Sequence, residues 1–348
     1  MNINTNKNQS RREFLGKSAA FAAAASILPL NFACGGSTAS AGAAETSVKT
    51  DNPNSVFSGV HVGAITYSFR SMPGGLENII KYCKESGISS IELMSGDLEQ
   101  YLGAPENPMM NMPRPAFVPG QPRPQPTPEQ LAAMEKYNAD MKAWRTSLPM
   151  SKVEAAKKLM NDAGIFSHIV NFSPARWSDE EIDYAFNATK AMGAKATIQE
   201  IGMESVQRLA PFAVKHGIPL ALHNHNQYAE EGFSADPFLA VSPSIMLNFD
   251  PGHYFGSTGK HPCDFIKKYH DRIFSIHMKD KTGPNVDPPN ENQVWGQGQM
   301  PIADVLLLLK KEKWPIFVDI ELEYDVKPWS DPVKEVRTCV QYARNILI

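Results

Sequence analysis

Cysteine is scarce in this chain of 348 residues. The four present, Cys34, Cys83, Cys263 and Cys339, lie too far apart to build a disulfide scaffold or a thiolate zinc site. A surplus of one charge is also missing. With 34 basic against 37 acidic residues the net charge is −3, and the pI of about 6.3 lacks the basic excess that nucleic-acid binders usually carry. The apolar run Ala19–Leu30 is too short to span a bilayer. Neither a G-x-S-x-G elbow nor an H-E-x-x-H helix occurs, which removes the serine-hydrolase and zinc-protease signatures. What is there is 42% hydrophobic residues, enough to bury a full core and to exclude disorder for the bulk of the chain. The 27 prolines and 15 methionines are unevenly spread.

The first 33 residues read as an address. Twin arginines, Arg11-Arg12, precede Phe14-Leu15 and the short apolar run, and so resemble a twin-arginine export signal. Ala33-Cys34-Gly35 at its end resembles a bacterial lipobox, with Asn31 where an aliphatic residue is usual. Cys34 is thus a candidate lipid anchor, the one membrane contact expected, and the expected location is periplasmic or outer-membrane-anchored. Removal of residues 1–33 takes four basic residues and one acid, leaving 30 basic against 36 acidic and a net charge of −6. Residues 34–57, rich in Gly, Ser, Ala and Thr, read as a flexible tether.

From residue 58 onward, short β-branched runs alternate with longer amphipathic stretches. Strands are expected over Val62–Tyr67, Ile88–Leu93, Phe166–Asn171, Lys195–Ile198, Pro219–His223, Ile245–Asp250, Ile273–His277 and Ile316–Glu321. Helical patterns fall between them, including one from Glu129–Trp144 that continues through Ser151–Asp162. Gly87, Gly164, Gly193 and Gly217 close helices just before the next strand. Eight β/α units in about 290 residues are the count and size of a single-domain (β/α)8 TIM barrel. A doubly wound dinucleotide fold is the rival, but Ser68–Gly75 after the first strand does not fit G-x-G-x-x-G.

In such a barrel the chemistry sits at the C-terminal strand ends. There the fifth strand runs into His223-Asn224-His225, the sixth into Asp250-Pro251-Gly252-His253, the seventh into His277-Met278-Lys279, and the eighth into Glu321-Leu322-Glu323. Five of the nine histidines, these four and His168, lie on or beside strands. Alternation puts His223 with His225, and Glu321 with Glu323, on one face. Inward imidazoles and carboxylates are costly unless paired or bound to a cation. Two of each from four consecutive strands suit one divalent ion, Mn²⁺, Zn²⁺, Co²⁺ or Mg²⁺.

Together, Gly193-Ala194-Lys195, Leu222-His223-Asn224-His225, Asp250-Pro251-Gly252-His253, His277-Met278-Lys279-Asp280, Gly296-Gln297-Gly298 and Ile320-Glu321-Leu322-Glu323 resemble the xylose-isomerase-like barrels of sugar phosphate isomerases and epimerases. The resemblance spans roughly residues 58–348 and implies one divalent cation held by Asp250, His277 and Glu321. At the fifth strand the family's Glu-Asn-His is replaced by His-Asn-His. His223 then stands as the fourth ligand, with His225 or Glu230 as substitutes, and the softer donor set favours Mn²⁺, Co²⁺ or Zn²⁺ over Mg²⁺. The implied chemistry is removal of a proton beside a carbonyl through an enediolate, leading to isomerisation, epimerisation or elimination. Glu323 is the candidate base, Lys279 and His253 candidate acids or oxyanion partners, and His225, Asn224 and Trp295 candidate sugar contacts.

Export points to a free sugar, glycoside or keto-sugar rather than a phosphate ester. A lyase or hydratase on 3-keto-glycosides is the alternative, and a non-catalytic sugar-binding lipoprotein a second. Two proline-rich loops belong to the same end of the barrel. Nine prolines fall between Pro105 and Pro128, and a second such loop runs from Lys281 to Met300. Both are expected to pack over the site, or over a neighbouring subunit of a homo-oligomer.

Overall fold

The computed structural model describes residues 52–110 and 125–348. The export segment, Cys34, most of the tether and the centre of the first proline-rich loop lie outside them. Eight parallel strands close on themselves. They are β1 (Val60–Ile65), β2 (Ser90–Met94), β3 (Phe166–Asn171), β4 (Ala196–Glu200), β5 (Leu220–His223), β6 (Ile245–Phe249), β7 (Ile273–Met278) and β8 (Phe317–Ile320). Each pairs with the next, and β8 returns to pair with β1 through Val318–Val62. The chain is a TIM barrel, as the alternation implies.

The main core lies between strands and surrounding helices, where Val62, Ile91, Val170, Leu222, Leu247, Ile276 and Val318 are buried. A smaller cluster of Ile169, Ala196, Ile198 and Ala221 fills the barrel interior, beside Phe274. Toward the N-terminal end His168 stacks on Phe317 at 4.2 Å and hydrogen-bonds Asp319 at 2.8 Å. This histidine serves the interior and not the mouth.

Four local expectations need correction. The long helix over 129–162 is two helices, Pro128–Ser147 and Met150–Asp162. Pro149 carries no N–H, and it holds Leu148 extended at φ −70° and ψ 122°. The last residues of the tether, Val56–Phe57, pair antiparallel with β1, and Ser55 is buried against Ser89. Strand β6 is followed at once by the helix Pro251–Thr258, whose N-terminus Asp250 caps by accepting from His253 N at 2.7 Å. A second unforeseen helix, Ser95–Tyr101, follows β2.

The loop after β7 is not merely extended. Asp280–Lys281 pairs antiparallel with Asn292–Gln293. The Asp280 carboxylate gathers the N–H groups of Gly296, Gly298 and Met300 at 2.8–3.2 Å. It therefore forms an anchored wall at the barrel mouth.

Candidate metal and sugar site

His223 is the last residue of β5, His277 lies one residue from the end of β7, and Asp250 and Glu321 each follow a strand by one residue. Closure of the barrel turns all four inward. Their ligand-type atoms lie within 4.8 Å of one another, and all four residues are buried. The fifth-strand position is thus filled by His223 rather than by His225.

The two imidazoles are set by a carboxylate that the sequence did not single out. Glu92, at the centre of β2, is fully buried and accepts from Asn171 Nδ2 at 2.9 Å and Asn248 Nδ2 at 2.8 Å. It also meets His277 Nε2 at 2.8 Å. The same Asn248 presents Oδ1 to His223 Nδ1 at 2.9 Å. Both oxygens accept, so His277 donates from Nε2 and His223 from Nδ1, and His277 Nδ1 and His223 Nε2 face the common space. A buried acid among Ile91, Leu93 and Met94 in a strand was the available signal.

Charge is dense at this point. Lys279, buried, donates to Glu323 Oε2 at 2.6 Å and lies 2.9 Å from Asp250 Oδ2 and 2.8 Å from Glu321 Oε2. The last two contacts are buried ion pairs. Apart from ion pairs within this cluster, Asp250 Oδ2, Glu321 Oε2 and His277 Nδ1 are buried without a hydrogen-bond partner. His277 Nδ1 and Glu321 Oε2 sit 3.0 Å apart, likewise at ion-pair distance. Buried imidazole nitrogens and carboxylate oxygens converging on one volume fit a divalent cation. Burial opposes ionisation of Glu321, yet Lys279 and His277 hold it well below the usual carboxylate range. Burial and the neighbouring His277 push His223 down, toward the neutral form that ligates metals. Against its own burial, His277 is raised well above the ordinary histidine value by Glu92 and Glu321.

A cavity of about 210 Å³ opens over these groups. Its walls include Tyr67, Asn171, Glu200, His225 and Glu323 beside His223, His277 and Glu321. His225 contacts Glu200 through Nδ1, and its ring lies 4.8 Å from that of His253. Glu323 meets His253 Nε2 at 3.4 Å. Burial would raise the Glu323 carboxyl, but His253 and Lys279 bring it down to about 2.

Four of the expected site residues, the candidate acids or oxyanion partners Lys279 and His253 and the candidate sugar contacts Asn224 and Trp295, are not among those lining this cavity. Lys279 contacts the carboxylates of Glu323, Asp250 and Glu321, and His253 contacts that of Glu323. Asn224 spends its amide on the backbone of residue 250, accepting from Asp250 N at 2.9 Å and donating to Asp250 O at 3.2 Å. Its role is to fix the β5–β6 junction beside Asp250. Trp295 is buried in the core and packs edge-on against Tyr342 at 5.9 Å. Large apolar surface next to the last helix outcompetes a position at the mouth.

This fold is that of one family. Residues 138–344 match the xylose isomerase-like TIM barrels, and the chain belongs to that family. An inosose dehydratase from Clostridium botulinum (strain Alaska E43 / Type E3) is 22% identical over 237 residues, covering 55% of this chain and 76% of that protein. Among solved structures, the probable 3-DHS dehydratase of Bacillus anthracis superposes with a TM-score of 0.53 at 13% identity, over 81% of this chain and 97% of that one. The 3-keto-D-glucoside 4-epimerase from E. coli gives 0.52 at 12% identity, over 82% and 99%. At these identities the structural likeness establishes the fold.

Proposed function

We propose that the protein is a metal-dependent enzyme that abstracts a proton beside a carbonyl of a non-phosphorylated sugar or keto-sugar, leading to isomerisation or epimerisation. The observation that carries this reading is the convergence of His223, Asp250, His277 and Glu321, with both imidazoles oriented through Glu92 and Asn248. These four would hold the ion, with Mn²⁺ the first expectation because two imidazoles join two carboxylates. A divalent cation there supplies Lewis-acid polarisation of a carbonyl.

The remaining work falls to the chain. Glu323 lines the cavity beside Glu321 and is the base in reach of a bound sugar. Lys279 and His253 keep it ionised. His225, backed by Glu200, is a second proton carrier in the same cavity, clustered with Glu323 and His253 within 4.8 Å and placed to share proton transfer with Glu323. Loss of a β-substituent from the same intermediate would make the enzyme a lyase or, in reverse, a hydratase. The dehydratase and epimerase names among its relatives support both outcomes. The proposed export favours substrates without phosphate, and no lysine or arginine lines the cavity among the described residues.

The test is incubation of the Mn²⁺-loaded protein with free and 3-keto sugars in D₂O. Deuterium at a carbon-bound position is expected, and the product identifies the outcome. If no sugar exchanges while the metal is bound, the enzyme reading fails and a sugar-binding lipoprotein becomes the better account.

A further inference from the structure

Glu323 faces two cavities. Beyond the 210 Å³ chamber it also lines a larger cleft of about 620 Å³ between the anchored loop after β7 and the segment 323–335. The candidate base is therefore common to the walls of both spaces. At the cleft Trp329 is 80% exposed, unusual for so large an apolar side chain. The turn that carries it is held in place. Ser330 N donates to Lys327 O at 2.9 Å, and Glu335 accepts from both Ser330 Oγ and Tyr324 OH.

The opposite wall supplies amides. Asn292 and Gln293 are fixed in the short hairpin, and the Gln297 side-chain amide makes no hydrogen bond among the described residues. Acidic groups outnumber cationic ones, with Glu291, Glu323, Asp325 and Glu335 against Lys327. Asn292 accepts from Lys281 Nζ and Gln293 donates to Glu291, so Gln297 is the free amide of this wall. An aromatic face, that amide and a net negative wall suit the apolar face and hydroxyls of a neutral sugar ring, and repel a phosphate or uronate.

We propose that this cleft is an extension subsite for a second, uncharged sugar ring stacked on Trp329, so that the substrate is a glycoside of disaccharide size and not a monosaccharide. The inference rests on the carbohydrate reading of the adjoining site and names its substrate class.

Calorimetric titration of the metal-loaded full-length protein tests it, with glucose and 3-ketoglucose set against maltose, cellobiose and their 3-keto forms. At least one disaccharide is expected to bind about tenfold more tightly than its matched monosaccharide, a difference of about 1.4 kcal/mol. Trp329→Ala is expected to collapse that ratio toward one, while Trp329→Phe retains most of it. Equal affinity for both sizes, or a ratio unchanged in Trp329→Ala, overturns the subsite and leaves the carbohydrate reading standing. Absence of binding by any of these sugars overturns both.

Discussion

Glu92 shows how one residue can govern a site that it does not enter. It accepts from His277 directly and reaches His223 through Asn248, so both imidazoles take their orientation from one carboxylate. Outer hydrogen bonds of this kind raise ligand basicity and fix the ring. Glu92→Gln keeps the size and removes the charge. It is expected to weaken metal binding by about 10- to 100-fold, read by competition with a chelator of known affinity. Affinity equal to that of the parent protein would remove Glu92 from this role. His223, Asp250, His277 and Glu321 were legible because each sits at the end of a strand-like run. Glu92 was not, because its partner His277 is 185 residues away and the strand around it reads as plain core. The Asn224 and Trp295 assignments failed for a related reason. Residue type shows that a side chain can bind a sugar, while only its neighbours show what has already claimed it.

At the scale of elements, close approach inside the barrel restricts β1. A methyl on Gly63 would stand 2.6 Å from Ser90 O and 2.8 Å from Asp319 Oδ1. Gly63→Ala therefore forces β2 or the Asp319–His168 pair to move, and should cost about 1–3 kcal/mol in urea denaturation. A loss within error would mean that the interior yields more freely than its packing implies. Strand and helix alternation was readable because each element buries an apolar face of the right period. The break at Pro149 was overridden by continuing apolar periodicity on both sides. The helix Pro251–Thr258 had no such stripe to read. Its buried positions, Pro251, Gly252, His253 and Gly256, are set by the packing of a short helix over the mouth, and its start is set by the Asp250 cap.

For the whole molecule, export bears on what the enzyme can meet. The twin arginines and Cys34 motivate the expectation that the chain leaves the cytoplasm and is held by a lipid. Replacing Arg11 and Arg12 by lysine should retain the protein in the cytoplasmic fraction, and Cys34→Ala should release it from membranes into the soluble periplasm. Periplasmic recovery of the double-lysine variant would sink the twin-arginine assignment.

The amino-acid sequence determined, on its own, the barrel class and four ligand-type residues. Both follow from local periodicity and from position along consecutive strands, which neighbouring residues are enough to set. Tertiary closure alone decided which carboxylate orients the histidines, which expected sugar contacts are buried or already bonded, and that Glu323 lines two cavities. Those facts depend on β8 returning to β1 and on β2 facing β7 across the interior. Contacts between residues so far apart in the chain leave no period in the sequence to read.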